Sequence, residues 1–209
     1  MSKLSAALLC IVSFASIATA DTVSYGFSYS HNATNFGNPS SYGTVTLTLE
    51  TAGTYAGDIY VEVDPATGFD VYNEIGFNGQ NLVSGAQLYV VGNNSGWSDP
   101  SDPLSSASLD HDGAFEYVYN PLKAPATTSL GFYVEQEDSN GDVVPFTSVL
   151  QLSADNSTGY AFSVDAKEGD PVTGFIAASV PEPSTAGLLV LASAGLLIPF
   201  ARRKFVRAN

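Results

Sequence analysis

Cysteine is nearly missing from this sequence: Cys10 is the only one among 209 residues, and it falls inside a terminal apolar stretch. One thiol closes no disulfide, and the chain beyond Cys10 has neither a Cys nucleophile nor a Cys-ligated metal. Basic residues are almost as scarce. Between Asp21 and Ser179 only Lys123 and Lys167 are basic, against twenty Asp and Glu, a net of −18. Such a surface repels phosphate backbones and offers no basic stripe, which excludes nucleic acid as a partner. The same charge attracts divalent cations or basic partners. Histidine is limited to His31 and His111 and tryptophan to Trp97. Helical periodicity is also missing: no stretch of 21–179 repeats apolar residues at helical spacing over three turns.

The ends differ from the middle. Residues 1–20 have the layout of a secretory signal peptide: Lys3, an apolar run over 4–17, then small residues Ala18, Thr19 and Ala20 before Asp21. Cleavage is expected after Ala20, with Ala18 and Ala20 read by the peptidase. Lipidation of Cys10 is disfavoured, because Ala7 and Leu9 occupy positions where a lipoprotein carries Leu and a small residue. An exported domain without disulfides must hold together by its core, and about 160 residues suffice for that.

Residues 21–179 alternate like β-strands. In 43–50, GTVTLTLE, Val45, Leu47 and Leu49 alternate with Thr44, Thr46, Thr48 and Glu50. In 58–64, DIYVEVD, Ile59, Val61 and Val63 do the same. Further strands are expected over 23–30, 69–77, 86–91, 115–120, 130–136, 143–152, 160–165 and 174–178. Turn clusters such as Asn78-Gly79, 93–96 and 139–142 separate them. The expected fold is all-β, an antiparallel β-sandwich of about ten short strands with acidic loops at its ends. A cleaved signal helix would precede it and a single transmembrane helix would follow.

Candidate chemistry is sparse. Asp138, Asn140 and Asp142 stand at i, i+2 and i+4, the oxygen spacing of a calcium loop. Against calcium, Val143 and Val149 stand where an EF-hand needs Gly and Glu, and Asn140-Gly141 is a strong hairpin signal. The hairpin is the preferred reading, and calcium is the only cofactor candidate. Asp110, His111, Asp112 and Gly113 could supply metal ligands or an acid–base pair, but adjacent side chains diverge and Asp-Gly before a strand is an ordinary turn. No Gly-x-Ser-x-Gly elbow is present and nothing suggests a Ser-His-Asp triad. With twenty acids, some carboxylate pair will always lie at a glycosidase-like separation, so abundance carries no signal. Trp97 in a polar loop could stack on a sugar; the preferred alternative is that it plugs one end of the core.

The C-terminal segment 180–209 is the most specific part. Pro181-Glu182-Pro183 leads into sixteen uncharged residues, 186–201, followed by Arg202, Arg203, Lys204 and Arg207. As a helix the run is about 24 Å long, or about 28 Å counted from Pro183, just adequate for a hydrocarbon core of about 30 Å. A span over about 184–201 would leave the basic end, 202–209, at the cytoplasmic face. Pro199 weakens its last turn. A glycolipid-anchor signal is disfavoured because such tails end in their apolar run.

In this order of parts the tail resembles the PEP-CTERM sorting signal of bacteria. The resemblance covers about the last 28 residues, and the Leu-Pro-x-Thr-Gly of sortase substrates is absent. It implies recognition of Pro181, Glu182 and Pro183 by an exosortase, an integral-membrane processing enzyme that passes the body to the cell surface or an exopolysaccharide matrix. Less specifically, 76–79, 95–98 and 173–177 resemble the β-rich, cysteine-free exported domains that carry such tails. The expected function is therefore that of a non-enzymatic surface or matrix protein, tethered in the inner membrane before onward transfer. Exopolysaccharide or envelope components are its expected partners. The alternatives are a lectin-like carbohydrate-binding module using Trp97 and, less favoured, a glycan-active hydrolase.

Overall fold

The computed structural model describes residues 21–31, 36, 41–94, 96–97, 102–109, 112–120, 126–169 and 172–179. Eleven strands are formed: β1 (Thr22–Gly26), β2 (Tyr29–Ser30), β3 (Gly43–Leu49), β4 (Ile59–Pro65), β5 (Phe69–Phe77) and β6 (Gln87–Asn93). They are followed by β7 (Ser105–Leu109), β8 (Gly113–Tyr119), β9 (Leu130–Glu137), β10 (Phe162–Glu168) and β11 (Val172–Ala178). A five-stranded sheet has the order β1-β3-β4-β9-β6 and a six-stranded sheet the order β2-β11-β10-β5-β8-β7. Every pairing between these strands is antiparallel. The all-β expectation holds.

Alternation explains the layering. Val45, Leu47, Ile59, Val61, Val63, Leu130, Phe132 and Val134 turn inward from the five-stranded sheet and are fully buried. They share one core with Val71, Ile75, Phe77, Phe162, Val164 and Ile176 of the other sheet. Aromatic contacts across it include Tyr25 on Phe162 at 5.5 Å and Tyr119 on Phe132 at 5.0 Å between ring centroids. Each aromatic side chain removes a large apolar area from water, which lets a domain without disulfides persist.

The chain changes sheets early. Phe27 N–H donates to the Gly43 carbonyl in the first sheet at 2.9 Å, and Ser28 N–H donates to the Ala177 carbonyl in the second at 3.2 Å. The expected single strand over 23–30 is therefore two short ones. Two other expectations are corrected. The segment 143–152 forms only an isolated bridge at Val143 and then a 3-10 turn, Val149–Leu152. Ser148 caps that turn and Gln151 completes a capping box, so local side-chain bonds override the apolar pattern. Strand β7, Ser-Ser-Ala-Ser-Leu, was not expected; only Leu109 of it is buried, and an exposed edge strand needs no alternation.

A second, smaller apolar cluster covers the outer side of the six-stranded sheet. On β8, Phe115 pairs with Ala107 while Val118 pairs with Ser105, a register shift that brings Phe115 against Gly76. A Cβ on Gly76 would stand 2.7 Å from both the Phe115 ring and Leu109. Leu109, Phe115 and Val118 form this cluster, with Tyr160 and Phe175 packed on it.

Candidate functional site

The segments 1–20 and 180–209 lie outside the described residues. So do Ala18, Ala20, Pro181, Glu182, Pro183, Arg202, Arg203, Lys204, Arg207, Asp110 and His111. Among the described residues no helix is long and apolar enough to cross a membrane.

Trp97 is 3 % exposed and packs its ring on Tyr119 at 5.4 Å. Its burial is that of the core plug, the preferred reading of Trp97, and gives the sugar contact no exposed ring. The Asp138 loop is a hairpin turn: Asp138 N–H donates to the Asp142 carbonyl at 2.9 Å, and Gly141, at φ +81°, donates back to the Asp138 carbonyl. The Asp138 carboxylate accepts the backbone N–H groups of Asn140 at 2.8 Å and Asp142 at 3.1 Å, with the Asn140 amide at 3.1 Å. Those bonds, the Asp142 N–H first, lower its pKa from the usual carboxylate value. Its carboxylate thus takes part in building the turn.

Asp112 closes the turn between β7 and β8, as its Asp-Gly pattern implies, with Gly113 at φ +91°. Its side chain does more than the turn requires. The fully buried carboxylate pairs with Nδ1 of His31 and accepts the buried Ser163 hydroxyl at 2.5 Å. Its carbonyl accepts Asn156 Nδ2 at 2.8 Å and Thr158 Oγ1 at 2.5 Å. Asp112 thus stands between the serine and the imidazole, so Ser163 donates to the carboxylate. This is a polar clasp holding the β7–β8 hairpin over the outer cluster, not the order of a nucleophilic triad. The neighbouring sequence revealed nothing of it, because His31 is 81 positions away.

A carboxyl pair lies on the same sheet. Val164 pairs with Ile75 and Ala166 with Val71, leaving Tyr72, Asn73 and Glu74 of β5 opposite the single residue Asp165. Burial, reinforced by Glu74, pushes Asp165 up to about 7, and burial also raises Glu74, whose carboxylate accepts the Asn120 amide.

The outer face of the five-stranded sheet carries the richest surface chemistry. Tyr60 of β4 pairs directly with Tyr133 of β9, and the rings lie 4.9 Å apart. Tyr55, from the β3–β4 loop, folds over them and stacks flat on Tyr133 at 3.8 Å and 13°. Two glycines make room. A Cβ on Gly131 would stand 2.0 Å from the Tyr60 hydroxyl, and one on Gly92 would stand 2.7 Å from the Tyr55 hydroxyl. Asn94 fastens the layer, accepting Gly131 N–H at 2.8 Å and donating to the Tyr60 hydroxyl at 3.3 Å.

Acids border this layer. Ile59 pairs with Val134, which sets Asp58 against Glu135 one step along, and Glu50 N–H donates to the Asp58 carbonyl at 2.9 Å. Asp58 is 5 % exposed, and burial followed by repulsion from Glu135 pushes it up to about 7. Burial, then Glu137, raises Glu135 as well. Among the described residues, no group of three or more His, Cys, Asp or Glu is placed to hold a metal ion. No known protein family, curated protein or solved structure matches this chain.

Proposed function

We propose that the chain is an exported, non-enzymatic β-sandwich of the bacterial cell surface or extracellular matrix, sorted through its C-terminal signal. The observation that carries this reading is the ordered tail: Pro181-Glu182-Pro183, the apolar run over 184–201, and Arg202, Arg203, Lys204 and Arg207. On this reading an exosortase-type enzyme recognises the Pro-Glu-Pro element. The apolar segment, as a helix, holds the chain in the inner membrane for the interval before that step. A leader cut after Ala20 supplies the route out of the cytoplasm. The architecture is compatible, since the eleven strands described lie between Thr22 and Ala178.

Intact mass of the protein recovered outside the cytoplasm tests this. The expected mass lacks residues 1–20 and the residues that follow the Pro-Glu-Pro element. A recovered mass that retains the tail would overturn processing and leave a single-span anchored protein.

A second reading, glycan binding by the body, is favoured by the stack of Tyr55 on Tyr133 beside Asp58 and Glu135. Flat aromatic faces flanked by carboxylates suit the apolar faces and hydroxyl rims of sugar rings.

A further inference from the structure

Two Asn-Gly pairs occur in the chain, at 78–79 and 140–141, and the fold treats them in opposite ways. An asparagine amide carries an electrophilic carbon, Cγ, within ring-closing reach of the next residue's backbone nitrogen. Glycine has no Cβ to obstruct that approach. Ring closure joins the nitrogen to Cγ and breaks the bond from Cγ to Nδ2. The side-chain nitrogen leaves as ammonia, carrying away the proton that the backbone nitrogen gives up. Water then opens the resulting cyclic imide at either carbonyl, which yields aspartate or isoaspartate.

At Asn78 the rotations that this needs are blocked. The residue is buried, its Nδ2 donates to the Ala154 carbonyl at 3.3 Å and its Oδ1 accepts Glu116 N–H at 2.9 Å. Its own carbonyl accepts Ala154 N–H at 3.4 Å, and Gly79 N–H donates to the Glu116 carboxylate at 3.3 Å. Turning Cγ toward Gly79 breaks bonds to two segments at a place where water does not replace them. Asn140 and Gly141 are both exposed. One bond holds the amide, from Nδ2 to the Asp138 carboxylate at 3.1 Å, and one holds Gly141 N–H, to the Asp138 carbonyl at 3.0 Å. Water takes over either bond as it opens. Among the described residues, a Cβ on Gly141 would meet Glu137 Oε2 at 3.9 Å and nothing nearer, so the space around it is open.

We propose that Asn140–Gly141 is a self-modification site, where water as the sole co-reactant converts the turn to aspartate and isoaspartate and thereby loosens the hairpin after β9. Either product fits the turn poorly. The amide that donates to Asp138 becomes a carboxylate that repels it, with Asp142 close by. Isoaspartate also routes the main chain through the side-chain methylene, lengthening it by one carbon. The bonds from Gly141 N–H to the Asp138 carbonyl and from Asp138 N–H to the Asp142 carbonyl were set for the shorter loop. Beyond them, the Glu137–Val143 bridge and the bond from Val144 N–H to the Gln136 carbonyl, 2.8 Å, depend on the same register.

The test ages the full-length chain in mild detergent at mildly alkaline pH, folded and in urea, and maps its peptides by mass spectrometry with an isoaspartate-specific label. In the folded chain Asn140 should convert about tenfold or more faster than Asn78. In urea the two rates should converge, because both sites are then plain Asn-Gly; a persistent difference would assign the contrast to flanking residues and overturn the structural account. Comparable conversion of both sites in the folded chain overturns the proposal, as does conversion of Asn140 in urea alone, which would mean that the turn protects it. Hydrogen exchange over 138–144 should rise about tenfold in the aged chain and stay unchanged in equally aged Asn140→Gln. Exchange that stays unchanged in a converted chain overturns the loosening.

Discussion

Replacing Asp165 by Asn isolates what a buried carboxyl does to the pH dependence of this fold. Burial, with Glu74 adding to it, raises the folded-state value from 3.8 to about 7. Below the unfolded value both states hold the proton and Asp165 contributes no pH dependence. As pH rises from 3.8 toward 7, the unfolded chain releases its proton while the folded chain keeps it. The folded state then binds more protons, so stability falls through that window and levels off above it. At about 1.4 kcal/mol for each tenfold change in proton affinity, the complete effect approaches about 4 kcal/mol. Solvent near Glu74 screens part of it, and about 2 kcal/mol is a working figure. Asn has nearly the same shape and does not ionise, so Asp165→Asn should match the parent near the acid limit and exceed it by about that amount above neutrality. In a domain of this size the gain corresponds to about 4–8 °C in Tm. Urea unfolding of parent and variant across the window is the assay. An identical difference at both ends would refute the reasoning, as would a variant less stable than the parent above neutrality. Either result would mean that the fold accommodates the carboxylate.

Other outcomes follow from the same structure. Asp112→Ala strips the clasp from His31 and Ser163 and should cost about 3 kcal/mol in urea unfolding, whereas an effect under about 0.5 kcal/mol would place the clasp among surface interactions. Gly131→Ala drives a Cβ into the Tyr60 hydroxyl and should destabilise by about 1–3 kcal/mol, and an unchanged melt would show that the ring swings aside freely. Trp97 should emit as a buried indole, and its spectrum should not move when a polysaccharide is added; quenching by iodide would contradict its place in the core. Chelation should leave Tm unchanged, because the turn already occupies the Asp138 carboxylate; a rise in Tm on adding calcium would assign a cation to that loop.

Most strands were legible because alternation is a local property. GTVTLTLE and DIYVEVD each declare a buried face without reference to any partner, and both became central strands of one sheet. Where local chemistry competed, the pattern misled: Ser148 and Gln151 turn an apolar segment into a capped 3-10 turn. β7 is small and polar because an edge strand buries little. The sites were far less readable. The Asp112 clasp joins residues from three distant segments, and the tyrosine layer depends on Tyr60 meeting Tyr133 in register and on a loop delivering Tyr55. Registers and loop returns are tertiary facts. Gly92 and Gly131 were the available signal, since glycine within a strand often marks a place where other atoms approach the backbone.

The position of β2 sets a timetable for folding. Among the described residues its only strand neighbour is β11, through Ser30 with Ile176 and Tyr29 with Ala177. A ribosome delivers these partners far apart in time, since they are separated by most of the described chain. β3 and β4 can pair early because they follow one another in the chain and are joined through residues 50–58, while the second sheet must wait for its penultimate strand. Until β11 arrives, Phe77, Phe162 and Val164 line a half-built interior. Such dependence on distant pairing predicts slow final closure, with the rate set by the late arrival of one strand and not by the many quick local ladders.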